Sequence, residues 1–275
     1  MRNALPLLDT RTPPLHSGEA RVHFVTPETV THPELLSAYL ELLDDAERER
    51  HRRFYFEEDK HLYLVAHALV RVTLARLLGK EPASLRFDIG EHGRPELVHD
   101  VAVAPHERVR INLAHTRGHV AFAMTLGDAI GVDVERVHRG RSLLDVAKRF
   151  FSEPEIAWLL AAPEGERDAR FAELWSLKEA YLKAHGAGLT LPLRSAIFSR
   201  QDAARVSIAF APPITDDPQR WSLALFAPTP ELRAAVAVER SSTGAKIDWV
   251  LRAGIPGVED EPASGVAMLA STTGA

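Results

Sequence analysis

The sequence has no cysteine, which rules out disulfides, thiolate catalysis and cysteine-ligated zinc. It also lacks a long apolar run. The first apolar stretch is broken by Pro6 and closed by Asp9, too short for a secretory signal, and no later run is long enough to span a bilayer. Nor is there an excess of positive charge: the formal net charge is −5, whereas a general nucleic-acid binder is strongly basic. We therefore expect a cytoplasmic protein with neither a nucleic-acid nor a membrane partner. What is present is ordinary for a globular chain. Over 275 residues, 45% are hydrophobic and 26% charged, enough for one large domain or two small ones with a substantial core.

Punctuation and periodicity divide the chain. Residues 1–20 carry Pro6, Pro13, Pro14 and Gly18 and read as a loose arm. Helical spacing follows Thr31, and Asp44 with Glu47 forms a capping-box start for an arginine-rich helix. A long amphipathic helix then runs from about residue 59 to 78 and stops at Gly79. Alternating strand-like pieces occupy residues 85–89, 109–115, 120–126 and 130–135. Helices return over 142–150, 152–160 and 167–185, Ser152 and Glu155 making a second capping box. Alternation resumes over 205–210, 221–226 and 233–238. Helices then strands, twice over, predict an α+β fold built as a pseudo-twofold pair of similar lobes, 21–127 and 128–240. Residues 241–275, rich in Ser, Thr, Gly and Ala, read as a disordered tail.

Two stretches carry chemistry. In residues 131–135 a strand sets Asp133 and Glu135 on one face and Val132 and Val134 on the other. Two carboxylates on one face of an apolar strand repel each other unless a cation lies between them. In residues 175–183 a helix puts Glu179 and Lys183 side by side, one turn after Trp175. Alone, that pair reads as a surface ion pair of about 0.3–0.5 kcal/mol. With the strand carboxylates it suggests a magnesium–phosphate site.

The ordered set Arg52-Arg53-Phe54-Tyr55, Gly93-Arg94-Pro95, Asn112-Leu113-Ala114-His115-Thr116, residues 131–135, Phe150-Phe151-Ser152 and Trp175 through Leu193 resembles the 4′-phosphopantetheinyl transferases of the larger, Sfp-like type. The resemblance spans roughly residues 40–200. It implies a monomer that moves phosphopantetheine from coenzyme A to a serine of an acyl or peptidyl carrier protein of fatty-acid, polyketide or nonribosomal-peptide biosynthesis. Release of 3′,5′-ADP and a requirement for Mg²⁺ are implied with it. By the same resemblance Asp133, Glu135 and Glu179 are metal ligands, and Glu179 and Lys183 are catalytic. Arg50, Arg53, Gly93, Arg94, Pro95, His115, Lys178 and Lys183 are the coenzyme A contacts it implies. The serine proton goes to Glu179 or to a metal-bound water. A docking surface for the carrier is implied near Arg136, Arg139, Arg141, Leu143, Leu144, Lys148 and Arg149.

The chain departs from the pattern at several points. Glu47 stands at a basic position, Ala114 where a serine often precedes the histidine, Tyr63 where a small hydroxyl residue is found, and Arg94 replaces a lysine. Two other classes stay open at this point. One is a magnesium-dependent phosphohydrolase using the same carboxylates; the other is a non-catalytic binder of coenzyme A or of a carrier protein.

Overall fold

Local sequence starts and stops the helices in the computed structural model, which describes residues 12–90, 95–99, 103–137, 143–200, 202–241 and 246–274. Both expected capping boxes form. Asp44 Oδ1 accepts from Glu47 N and Glu47 Oε2 from Asp44 N, each at 2.9 Å, and Ser152 and Glu155 repeat the arrangement. Gly79 and Gly186 take the left-handed conformation that ends a helix, at φ 63° and 78°.

The first lobe holds β1 (Glu19–Val25), α1 (Pro33–Leu42), α2 (Asp45–Arg53) and α3 (Glu57–Leu78). A short hairpin of β2 (Phe87–Ile89) and β3 (Pro95–Leu97) follows, then β4 (Val109–Thr116) and β5 (His119–Leu126). The second holds β6 (Ala129–Arg136), α4 (Leu143–Phe150), α5 (Glu153–Leu160) and α6 (Arg167–His185). It continues with β7 (Ala196–Arg200), β8 (Val206–Phe210), β9 (Trp221–Ala227) and β10 (Leu232–Glu239). Three more strands follow, β11 (Asp248–Ala253), β12 (Glu261–Pro262) and β13 (Ala267–Ser271). One sheet runs β12-β11-β1-β5-β4, the other β13-β9-β10-β6, so the α+β fold with two lobes is as expected.

Period-two alternation places the core on both faces of each sheet. On β5, Val120, Phe122 and Met124 pack towards α3, while Ala121 and Ala123 face the other sheet. On β10, Ala235 and Ala237 lie with the second lobe's helical core, while Ala234, Val236 and Val238 face the first sheet. Alanines and valines dominate this inner layer, which lets the two sheets approach closely. Asn112 of β4, buried, closes the seam: its Oδ1 accepts from Val132 N of β6 at 2.9 Å.

Three expectations change. Residues 246–274 are ordered strands, not a disordered tail. β11 pairs in parallel with β1, Glu19 opposite Asp248 through Phe24 opposite Ala253, and β13 pairs with β9. The segment thus returns to both lobes, and neither lobe is one continuous stretch of chain. The described part of the N-terminal arm is tied down as well. Thr12 and Leu15 are buried, and Arg21 donates to the carbonyls of Pro13 and Pro14 at 2.8 and 3.0 Å. Finally, α3 is long and apolar enough to cross a bilayer, but 67% of that stretch is buried in the fold, where it serves as a core helix.

Removing residues 246–275 leaves an open edge on β1 and uncovers β9. We expect the truncated chain to aggregate or to melt well below the full chain in differential scanning calorimetry. An unchanged melting temperature would show that these strands are ornamental.

Candidate active site at the seam between the lobes

Gly131, Asp133 and Glu135 share the face of β6 that meets α6, and Gly131 sets the distance. A Cβ there would stand 2.0 Å from the Ala180 carbonyl oxygen and 2.4 Å from the Ala184 nitrogen. Only a residue without a side chain lets the helix backbone lie this close. The contact brings Lys183 Nζ to 2.7 Å from Asp133 Oδ1 and 3.0 Å from the Val132 carbonyl. Lys183 is therefore held across the strand–helix boundary, in addition to lying one turn from Glu179. The Asp133 side chain is 9% exposed and Lys183 28%, so the pair lies at the edge of the core.

Glu135 and Glu179 are half-buried. Arg233 stands opposite Glu135 on β10 and reaches Glu173 of α6 at 3.3 Å. With Lys183 at Asp133, this shows α6 running antiparallel to β6, with Glu179 one helical turn before Lys183. Among the described residues no three His, Asp or Glu side chains converge tightly enough to hold an ion unaided. The donors are all hard carboxylate oxygens, the type Mg²⁺ takes, and Mg²⁺ commonly uses one or two carboxylates plus substrate phosphates and water. The residues present therefore fit a magnesium ion bound together with a phosphate.

His115 ends β4 at the rim of this site, exposed, three residues beyond the buried Asn112. Crowding holds its proton affinity below the ordinary 6.5; the charges of Lys183, His67 and Arg50 lower it further, and Asp59 opposes them. Three elements, α6, α3 and α2, thus place Lys183, His67 and Arg50 around one imidazole carried by β4. A cleft of about 930 Å³ opens beside it, walled by the first turns of α3 and by His115 to Gly118.

The other expected contacts separate. Arg50 is exposed and lies over the Tyr63 ring, 5.9 Å from its centroid. Arg53 points into solvent, 76% exposed, and shares Glu49 with Arg52 at 3.2 and 2.8 Å. It is not among the charges that act on His115, and it belongs to a solvated helix face. Gly93 and Arg94 lie outside the described residues, as do Arg139 and Arg141. Pro95 begins β3 opposite Ile89.

Lys178 is a correction. Its side chain is wholly buried, facing away from the cleft into the second lobe. Nζ meets Glu155 Oε1 at 2.9 Å and donates to the carbonyls of Leu193 and Ala196 at 2.8 and 2.7 Å. Burial lowers its proton affinity, and Glu155 opposes that. Glu155 also closes its capping box and accepts from Phe198 N at 2.8 Å. In sequence Lys178 adjoins Glu179; on a helix the neighbours point about 100° apart, so one faces the site and the other the core.

Glu47 is explained too. Its carboxylate accepts from His67 Nδ1 at 2.9 Å and from Arg71 Nε at 2.7 Å, and Arg71, wholly buried, also holds Asp44. Burial alone would raise the Glu47 pKa, but the hydrogen bonds from His67 and Arg71 prevail and hold it at about 2. A depressed carboxylate contributes stability that is complete above its ordinary 4.5 and is lost as pH falls towards 2. Sequence reasoning missed His67, although Asp59, Tyr63 and His67 recur every four residues on one face of α3.

The Lys178 assignment can be tested against a ligand role. Lys178→Met alone strands a buried carboxylate and should cost about 3–5 kcal/mol of stability. Adding Glu155→Leu should recover much of that loss in thermal melts. A double variant no more stable than the single one would count against a purely structural pair.

Two family models match the chain. Residues 129–237 match the 4′-phosphopantetheinyl transferase superfamily, and residues 30–126 match the 4′-phosphopantetheinyl transferase N-terminal family. The 4′-phosphopantetheinyl transferase Sfp of Bacillus subtilis (strain 168) is 34% identical over 170 residues, covering 62% of this chain and 72% of that protein. Another Bacillus subtilis 4′-phosphopantetheinyl transferase is 35% identical over 161 residues, 58% of this chain and 68% of that protein. The 4′-phosphopantetheinyl transferase HetI of Nostoc sp. is 31% identical over 197 residues, 71% and 78% respectively. The two family models run through both lobes and across the strand–helix contact that joins Asp133 to Lys183, and the chain belongs to the 4′-phosphopantetheinyl transferase family, in its larger, Sfp-like form.

Proposed function

We propose that this enzyme transfers 4′-phosphopantetheine from coenzyme A to a serine hydroxyl of an apo acyl or peptidyl carrier protein, with Mg²⁺, releasing 3′,5′-ADP. The observation that carries this reading is the Gly131 contact, which fixes Lys183 at Asp133. His115 and Arg50 stand nearby on the first lobe. One chain supplies both halves of the site, which supports action as a monomer.

Asp133, Glu135 and Glu179 would hold the magnesium ion, which supplies positive charge against the pyrophosphate. The chain's own residues do the rest. His115 and Arg50 bind phosphate oxygens, and Lys183 offsets the charge that 3′,5′-ADP gains as its bond to phosphorus breaks. The serine oxygen forms the new bond to that phosphorus, and its proton passes to Glu179 or to water. For the carrier, the exposed side of α4 offers Leu144, Lys148 and Arg149 with Asp145 among them, and Arg136 is exposed at the end of β6, whereas Leu143 packs against the lobe core. An exposed leucine one turn before a lysine and an arginine suits an acidic helix with an apolar stripe.

The test mixes enzyme, Mg²⁺, coenzyme A and several apo-carriers and reads intact mass. A gain of one phosphopantetheine on a carrier supports the reading. Release of 3′,5′-ADP without any modified carrier would instead indicate a phosphohydrolase, and ligand binding without turnover a mere binder.

Lys183→Ala should lower kcat by about a hundredfold or more while moving the KM for coenzyme A little. A small loss in kcat would reduce Lys183 to a structural partner of Asp133. Asp133→Asn, which keeps a hydrogen-bond acceptor for Lys183, should abolish transfer with the fold intact; full activity at limiting Mg²⁺ sinks the metal assignment. His115 should titrate below 6.5 in the free enzyme by NMR and shift upward when 3′,5′-ADP binds, because an anion then faces the imidazolium. An unmoved midpoint would remove His115 from the phosphate site.

A further inference from the structure

The face of α3 that looks towards His115 carries Asp59, Tyr63 and His67, one per turn. Asp59 walls the same cleft as His115, and Asp59 and His67 both act on the His115 charge. Two packed groups fix His67 itself. Its ring stacks on Tyr63 at 3.9 Å between centroids, tilted by 28°. Its Nδ1 is committed to Glu47 Oε1 at 2.9 Å. Glu47 cannot swing away, because its other oxygen is held by Arg71 and by the Asp44 amide. Tyr63, whose phenol is pushed up to about 12 by burial, is a neutral platform that also lies under Arg50.

A carboxylate on Nδ1 orients the ring and leaves Nε2 as its remaining polar edge, and 26% of the side chain reaches solvent. The chain places a carboxylate at position 47 of α2. That carboxylate is what orients the imidazole from the neighbouring helix.

We propose that His67, oriented by Glu47 and Tyr63, is a further phosphate-binding residue of this site, adding a contact from α3 to those of His115 and Arg50. The ligand class is a phosphate monoester or diester of a nucleotide. This rests on the function proposed above, but the binding test is independent of carrier modification.

The test is calorimetric titration of the wild-type chain, His67→Gln and Glu47→Gln with 3′,5′-ADP and with 5′-AMP. His67→Gln should weaken 3′,5′-ADP by about tenfold, the loss of one charge-assisted hydrogen bond. Glu47→Gln, which keeps the shape but removes the orienting charge and one acceptor oxygen, should fall between that variant and the wild type. An equal loss for 5′-AMP assigns the contact to the 5′-phosphate, and a loss confined to 3′,5′-ADP assigns it to the 3′-phosphate. Unchanged 3′,5′-ADP affinity in His67→Gln overturns the proposal. If the variant does not fold, the wild-type ¹⁵N imidazole spectrum decides: a shift of His67 Nε2 on saturation with 3′,5′-ADP supports the contact, and an unmoved resonance overturns it. Failure of the wild type to modify any carrier, with 3′,5′-ADP binding intact, would count against the proposed function and leave this assignment standing.

Discussion

With any side chain at position 131, the backbone of α6 would have to withdraw from β6, because a Cβ there would stand 2.0 Å from the Ala180 carbonyl oxygen where ordinary contact begins at 3.4 Å. Everything at the seam depends on that closeness. The strand supplies Asp133 and Glu135 on its helix-facing side, the helix supplies Glu179 and Lys183, and the backbone distance decides whether the two rows meet. Since β6 also abuts β4 through Asn112, the same placement carries His115 of the first lobe to the rim of the second. A site assembled from two sheets is thereby fixed by one strand that touches both α6 and β4.

Buried charges hold the supporting elements in place. Glu155 with Lys178 ties α5, α6 and the start of β7 together; Glu47 with Arg71 ties α2 to α3. Such pairs gain little net stability, because removing two charges from water costs about what their attraction returns. Their geometry is nonetheless demanding, since a misplaced helix would leave a charge buried without its partner. In this chain both pairs lie one layer behind the site: Lys178 beneath Glu179, and Glu47 beneath His67. The polar core therefore sets the angles at which the surface groups are presented.

Much of the frame was legible in the residues. Alternation over β5, β6, β9 and β10 is clear because each face of those strands meets a different layer. Both capping boxes and both terminal glycines work locally, so spacing along the chain was enough to read them. The last three strands were not legible. They are short, interrupted by Gly254, Pro256 and Gly265, and only partly buried, and what makes them strands is the open edge of β1 and of β9. An unsatisfied sheet edge is a property of the folded lobe, which no window of residues records.

By itself the sequence determined which side chains share a face: Asp133 with Glu135, Glu179 with Lys183, and Asp59 with Tyr63 and His67, since backbone periodicity is local. It also determined the family, whose motifs run in order through both lobes. Tertiary structure alone decided which faces meet. It gave Lys183 to Asp133, turned Lys178 into the core and left Arg53 in solvent. It also made Glu47 the orienting partner of an imidazole on another helix. The physical reason is that a charge's role depends on its distance to charges far along the chain and on how much water remains between them, and both are set only when the layers pack.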